Sequence, residues 1–284
     1  MIERRSFRAM GTEIELLVEP DVAPESALAA AELEFHRLEA ALSRFRPDSE
    51  LSRLNRDGAI DASPDLLRVI DLAVAAREAT GGRFDPTVHD ALVAAGYDRS
   101  FELIDDEGDG DGSAPVRCSG DVWIEDGRIS LGDGVRLDLG GIGKGYAVER
   151  AAEVLSTAGP CLVNAGGDLT VRSGSWAVGV QTASGSLTLE LSSGALATSG
   201  RDRRRWRRDG REQHHLIDPL TGAPSTADLL RVTVVAADAV DAEVWAKALF
   251  LIGASAAARE GDLRGIPSVL VTSDGRTELV GGLA

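Results

Sequence analysis

From Cys161 onward the sequence breaks into short β-like segments separated by turn residues, and this constrains the fold more than any other feature. Residues 161–163, 169–171, 176–180, 187–191 and 229–235 are rich in Val and Leu, with Gly, Ser, Asp and Ala between them. Earlier in the chain, residues 13–18, 122–124, 128–131 and 135–139 read the same way, and a final strand is expected near 267–272. Helical periodicity is intermittent. Leu28, Ala31, Phe35, Leu38 and Leu42 fall at three- and four-residue steps and predict a helix over about 24–44. Ser63-Pro64-Asp65 starts a second helix, as a cap followed by proline in the first turn, and Gly81-Gly82 stops it. Residues 43–50 between these two helices read as a polar loop. Further helices are expected from the glycine-rich turn before Gly145 through about 157, over about 239–253, and in a short piece after that. Clustered strands with intermittent helices predict an α+β fold of mixed, largely antiparallel β-sheets flanked by helices, not a doubly wound sheet. Residues 1–284 read as a single domain. The acidic, glycine-rich stretch 105–113 is its candidate boundary, and reads as a solvated linker because EF-hand spacing is missing.

Composition narrows the function classes. Hydrophobic residues make up 43% of the 284 positions, enough for a sizeable core, while aromatics at 4% leave that core to Ala, Val and Leu. A net charge of -16 argues against general nucleic-acid binding, since phosphate backbones would be repelled. Cys118 and Cys161 form no CxxC pattern, so neither a disulfide framework nor a structural zinc site is expected. Cys161 opens an apolar run and reads as a buried, inert thiol. The N-terminal segment carries no signal-peptide core and no lipidation cysteine, and no run of about 18 apolar residues occurs. A cytoplasmic protein without a membrane segment is the expectation.

Four loops carry the candidate chemistry. In Asp138-Leu-Gly-Gly-Ile-Gly-Lys144-Gly145, glycines before a helix let backbone N–H groups approach an anion, and Lys144 adds positive charge. The pattern is neither a Walker loop nor a dinucleotide fingerprint, and a tight turn with a solvated lysine explains it as well. Gly82-Arg83-Phe84-Asp85-Pro86 follows a helix stop and contains a turn-forming Asp-Pro pair. Asn164-Ala-Gly166-Gly167-Asp168 reads as a hairpin turn or a ligand loop. His215, with Asp218 three residues on, fits a base beside an orienting acid or a structural pair. Upstream, six arginines within residues 201–208 form an anion-attracting patch or a solvated basic loop.

Taken in order, these segments resemble the FAD:protein FMN transferases, the ApbE-type family. The resemblance rests on Ala9-Met10-Gly11-Thr12, residues 42–50 with Leu54-Asn55, residues 80–88, 138–146 and 164–168, Ala197-Thr198-Ser199-Gly200, residues 215–222, and 242–253. It implies FAD contacts at Met10, Arg83, Phe84, Asp85, Asp138, Lys144, Leu216 and Ile217. Phe45 falls where the family often stacks a tyrosine on the flavin, and keeps that face without the hydroxyl. His215 matches the family's histidine near the reacting phosphate, and Gly141 a backbone oxygen that helps hold Mg²⁺. The family's metal helix carries aspartate and, four residues later, threonine; here Glu243 and Lys247 stand there. Glutamate still suits Mg²⁺ through a longer arm. A charged lysine does not ligate, and either stands where the cation would be or pairs with Glu243 one turn away.

The activity implied is transfer of the FMN half of FAD to a Thr or Ser hydroxyl of an acceptor flavoprotein, with release of AMP. Three alternatives stand beside it: an FAD pyrophosphatase giving FMN and AMP, a non-catalytic FAD-binding protein, and a structural or partner-binding domain in which these loops are only turns.

Overall fold

The computed structural model describes residues 1–104, 116–208 and 210–283, so the acidic stretch 105–113 lies outside the described residues. The first half of the chain contains β1 (Glu3–Ala9), β2 (Thr12–Val18), α1 (Glu25–Leu42), α2 (Glu50–Asp57), β3 (Ala59–Asp61), α3 (Pro64–Ala79), α4 (His89–Ala94), β4 (Val122–Glu125) and β5 (Arg128–Leu131). Next come α5 (Gly143–Leu155), β6 (Cys161–Ala165), β7 (Asp168–Gln181), β8 (Ser186–Gly200), β9 (Arg205–Arg208), β10 (Arg211–His214), β11 (Ile217–Asp218) and β12 (Ala223–Pro224). The chain closes with β13 (Leu229–Ala236), α6 (Ala239–Leu251), α7 (Ala254–Arg264), β14 (Ser268–Thr272) and β15 (Thr277–Val280). They form two compact units, Met1–Glu39 with Ile142–Ser199 and Asp228–Ala284, and Ala40–Gly141 with Gly200–Ala227.

The first unit is built on an eight-stranded sheet in the order β1-β2-β6-β7-β8-β13-β14-β15. The pairs β1–β2, β2–β6, β6–β7, β7–β8, β13–β14 and β14–β15 are antiparallel, as the clustered strand segments led one to expect. Leu162, Leu169, Val171, Trp176, Val178, Val180, Leu196, Val269 and Val271 pack as one apolar cluster. The segments 169–171 and 176–180 belong to one strand, β7, interrupted by a register shift between Arg172 and Trp176. Ser173 (φ 58°) and Gly174 (φ 84°) turn the backbone left-handed there, which breaks the alternation that a sequence reading relies on. Strand β1, ERRSFRA, shows little apolar alternation because it is the sheet edge, where charged side chains discourage pairing with other chains.

Helices α5 and α6 approach closely in this unit. A Cβ placed on Gly145 would lie 2.5 Å from the Ala239 carbonyl oxygen, so glycine is what permits the contact. Gly145→Ala is expected to cost roughly 1–3 kcal/mol, as overpacking does when the obstacle is backbone. Urea unfolding would read this, and an unchanged midpoint would mean the helices separate freely.

The second unit contains the small sheet β3-β5-β4, the hairpin β9–β10 and the two-residue pair β11–β12, with α2, α3 and α4. Helix α2 occupies sequence expected beyond the polar loop. Ser49 caps it by accepting the Ser52 N–H, Gly58 closes it at φ 75°, and Leu51 and Leu54 are buried. Residues 135–139, expected as a strand, form none. The Asn55 side chain takes over the ladder's role: its Oδ1 accepts the Leu137 N–H at 2.7 Å and its Nδ2 donates to the Leu137 carbonyl at 2.8 Å. Among the described residues no helix is long and apolar enough to cross a membrane.

Candidate active site

In the first unit, the hairpin between β1 and β2 turns through Met10 (φ 51°) and Gly11 (φ 67°). Left-handed backbone at both central residues is what a two-residue hairpin turn requires, and it is strained for methionine. The Met10 N–H is anchored on Glu39 Oε1 at 2.7 Å, which holds the residue at the tip.

The turn between β6 and β7 uses Gly166 and Gly167, both at positive φ, and delivers Asp168 to the first position of β7. Asp168 is buried and accepts a hydrogen bond from the Lys144 ammonium at the start of α5. Lys144 is therefore not the solvated lysine of a plain turn. Its Nζ also lies 2.6 Å from Glu243 Oε1 on α6, and Lys247, one turn further on, lies 3.1 Å from the same oxygen. Glu243 Oε2 accepts the Gly145 N–H at 2.9 Å, so this carboxylate caps the N-terminus of α5, where partial positive charge favours it. Burial alone would push Glu243 up, but the ammonium groups of Lys144 and Lys247 outweigh it and hold the carboxyl well below its ordinary range. Burial pushes Lys247 down, with Glu243 opposing.

In the second unit three of the expected flavin contacts, Phe45, Asp138 and Ile217, are linked to Tyr97 directly or through Arg44. Phe45 remains 37% exposed, with the Arg44 guanidinium 4.2 Å over its ring and Tyr97 at 5.5 Å centroid to centroid. Arg44 is buried. It donates to the Tyr97 carbonyl at 2.6 Å and pairs with Asp138 Oδ2 at 2.5 Å. Asp138 in turn caps its own turn, accepting the Gly140 N–H at 2.8 Å, and its N–H donates to the Pro86 carbonyl. Gly141 ends this segment of the unit. Tyr97 stacks towards Trp206 at 5.6 Å, and both join Ile217 in one apolar cluster. The sequence alone assigns no role to Arg44, Tyr97 or Trp206. A faint signal existed, since Tyr97 is one of two tyrosines and Trp206 is the single apolar residue of the arginine run.

Arg83, Phe84 and Asp85 follow α3. Thr80 Oγ1 accepts the Phe84 N–H at 3.0 Å, and Arg83 reaches the Thr80 carbonyl at 3.3 Å. Asp85 is buried and its oxygens are engaged: Oδ1 accepts from Thr87 N–H and hydroxyl, and Oδ2 from the Ser119 hydroxyl at 3.0 Å. Asp85, through Ser119, and the Thr87 hydroxyl, which accepts the Ser119 and Gly120 N–H groups, together tie the 84–87 turn to residues 119–120.

The two adjacent histidines differ. His214 is buried, its Nε2–H donating to the Ser225 carbonyl at 2.9 Å while Nδ1 accepts the Leu216 N–H at 3.2 Å. Leu216 and Ile217 are buried behind it, Ile217 paired with Pro224. His215 is half-buried, and its Nδ1 lies 3.4 Å from the Arg204 carbonyl. Asp218 Oδ1 accepts the Leu220 N–H at 3.0 Å in the following turn. The His215 tautomer with Nδ1–H towards the Arg204 carbonyl would leave the lone pair on Nε2.

Burial pushes the His214 imidazole below its ordinary 6.5, and the Ser225 carbonyl only partly offsets this. The unfolded chain therefore binds this proton more readily than the folded one. The contribution of His214 to stability is present above pH 6.5 and is lost as the pH falls below that value towards the folded pKa. Unfolding midpoints should drop between about pH 7 and pH 5.5, and less steeply in His214→Asn, whose Oδ1 can replace Nδ1 as acceptor. Identical slopes in both proteins would exclude His214 as the group responsible.

The magnesium ligation implied at Glu243 does not fit these residues. Both Glu243 oxygens already accept N–H groups, whereas Mg²⁺ wants about six oxygen ligands in near-octahedral array. Among the described residues no three or more His, Cys, Asp or Glu are grouped to hold a metal ion.

A model described as the ApbE family matches residues 10–265. The chain belongs to the ApbE family. It is 28% identical to a FAD:protein FMN transferase of Treponema pallidum (strain Nichols), over 86% of this chain and 76% of that protein. A FAD:protein FMN transferase of Klebsiella pneumoniae (strain 342) is 36% identical over 42% of this chain and only 40% of its own length. Among solved structures, the ApbE protein of Thermotoga maritima superposes with a TM-score of 0.87 at 27% identity, covering 99% of this chain and 97% of that one. The expected family and the expected α+β architecture are both borne out.

Proposed function

We propose that this member of the ApbE family is a FAD:protein FMN transferase, with residues 1–284 serving as a single catalytic domain. The observation that carries the reading is the half-exposed Phe45 ring backed by Arg44 and Tyr97, a stacking platform in a chain whose relatives bear that name. Aromatic faces stack on planar rings irrespective of ring polarity, so Phe45 suffices without a hydroxyl. Met10, Arg83, Phe84, Asp85, Asp138, Lys144, Leu216 and Ile217 are the residues we assign to FAD. For several of these the contribution is through the backbone or by holding a loop, because Asp85 and Asp138 already have protein partners.

In this reading His215 Nε2 takes the proton of a Thr or Ser hydroxyl on an acceptor flavoprotein. The hydroxyl oxygen forms a bond to the phosphorus on the FMN side of FAD, and the bond from that phosphorus to the bridging oxygen breaks. AMP leaves with that oxygen, and FMN remains as a phosphoester. Positioning and charge neutralisation supply most of the acceleration in such phosphoryl transfers. The relatives' names favour transfer over hydrolysis. A cytoplasmic setting belongs to the same proposal, in keeping with two free, buried thiols pushed up to about 11 by burial.

Incubation with FAD and a Thr-containing acceptor flavoprotein should release AMP and leave a fluorescent, covalently attached flavin on the acceptor. FAD cleavage that proceeds equally without acceptor would replace transfer by hydrolysis.

A further inference from the structure

The buried cluster of the first unit contains two ammonium groups, on Lys144 and Lys247, and two carboxylates, on Asp168 and Glu243. Its formal charges cancel within the protein. Glu243 is fully buried, and the oxygen that a hard cation would take, Oε1, has Lys144 Nζ at 2.6 Å and Lys247 Nζ at 3.1 Å. Oε2 is closed by the Gly145 N–H. Lys247 is further held by its approach, at 3.4 Å, to the Glu243 carbonyl one helical turn back. A divalent ion entering here would have to displace one ammonium and then sit beside the other, with like charges opposed in a poorly solvated site. An ammonium cannot ligate, but it offers N–H donors and a positive charge to an anionic substrate.

We infer that the Lys247 ammonium occupies the place of a divalent metal ion in this chain, so that its work on a diphosphate-linked substrate needs no Mg²⁺. The substrate half of this statement rests on the flavin-transferase reading; the exclusion of metal rests on the cluster alone. Tethered charge also has a consequence that free metal lacks, since no chelator removes it.

The test uses the full chain and Mn²⁺ as a paramagnetic probe. Free Mn²⁺ is followed by its EPR signal during titration of the wild type, with and without FAD, against FAD alone. AMP release is measured in parallel in EDTA and in Mg²⁺. The wild type is expected to leave Mn²⁺ free and to release AMP in EDTA within about twofold of the rate in Mg²⁺. Lys247→Thr, which returns an oxygen to that turn, is expected to fall on the order of 100-fold in EDTA and to recover when Mg²⁺ is added. Binding of one Mn²⁺ per wild-type chain overturns the inference, as does wild-type turnover abolished by EDTA and restored by Mg²⁺. The wild-type titration stands without the variant and without turnover. If no AMP appears under any condition, the transferase reading fails, while Mn²⁺ that stays free still supports the exclusion and bound Mn²⁺ still overturns it.

Discussion

Glu243→Gln is expected to destabilise the protein by about 3–5 kcal/mol, the cost of removing one member of a buried ionic network. The wild-type carboxylate accepts from Lys144 and Lys247 on one oxygen and from the Gly145 N–H on the other. An amide of the same shape has one acceptor oxygen and an NH₂ group. Whichever way it turns, an N–H donor is directed at another donor, and the two ammonium groups are left with one carboxylate in the cluster, Asp168, which pairs with Lys144 alone. The start of α5 also loses a charged cap, which adds to the loss through the helix dipole. For a protein of this size each kcal/mol moves the melting temperature by roughly 2–4 °C, so the transition should drop by on the order of 10 °C. Calorimetry or thermal circular dichroism reads it directly. A shift of less than about 2 °C would mean that the cluster is solvated and relaxes freely, and the account of it as a closed, charge-balanced unit would fail with it.

His215→Ala should lower kcat for FMN transfer roughly 10²–10⁴-fold, the range typical of a lost general base. Stability should hardly change, because this side chain is only half-buried. FAD affinity, read from flavin fluorescence quenching, should also stay within about threefold, since the proposed role is proton transfer rather than binding. Its neighbour provides the contrast. His214→Ala should leave a buried Leu216 N–H and Ser225 carbonyl without their partner and cost about 1–3 kcal/mol, a stability effect with no specific loss of chemistry. Unchanged kcat in His215→Ala would remove that residue from the reaction.

Read from the sequence alone, the fold was legible wherever pattern and chemistry are local. Helix α3 began at its serine cap and proline and ended before the paired glycines. The clustered strand segments from Cys161 onward became one antiparallel sheet. Order along the chain also carried the family: loops such as those around Met10, Asp138 and His215 are each weak singly, and the family match spans residues 10–265. The sequence misled where a tertiary partner substituted for a local rule. Residues 135–139 look like a strand, but the Asn55 side chain satisfies the Leu137 backbone and no ladder is needed. Ser173 and Gly174 look like a break between strands but form an irregularity inside β7.

The candidate site divides the same way. Residue identity at each loop could be read in advance, including the lysine at 247 where the resemblance implies threonine. What that lysine does could not be read, because pairing with Glu243 and standing in for a cation predict the same letters one helical turn apart. The pairing of Lys247 with Glu243 is local to α6, and the packing of α5 against α6, made possible by the absent side chain of Gly145, adds the neighbours from outside that helix. That packing brings Lys144 from 99 residues away onto the same carboxylate, and Asp168 onto Lys144, so that charge balance is a property of the assembled cluster. Electrostatic energy depends on distance and burial, and neither is written in sequence separation.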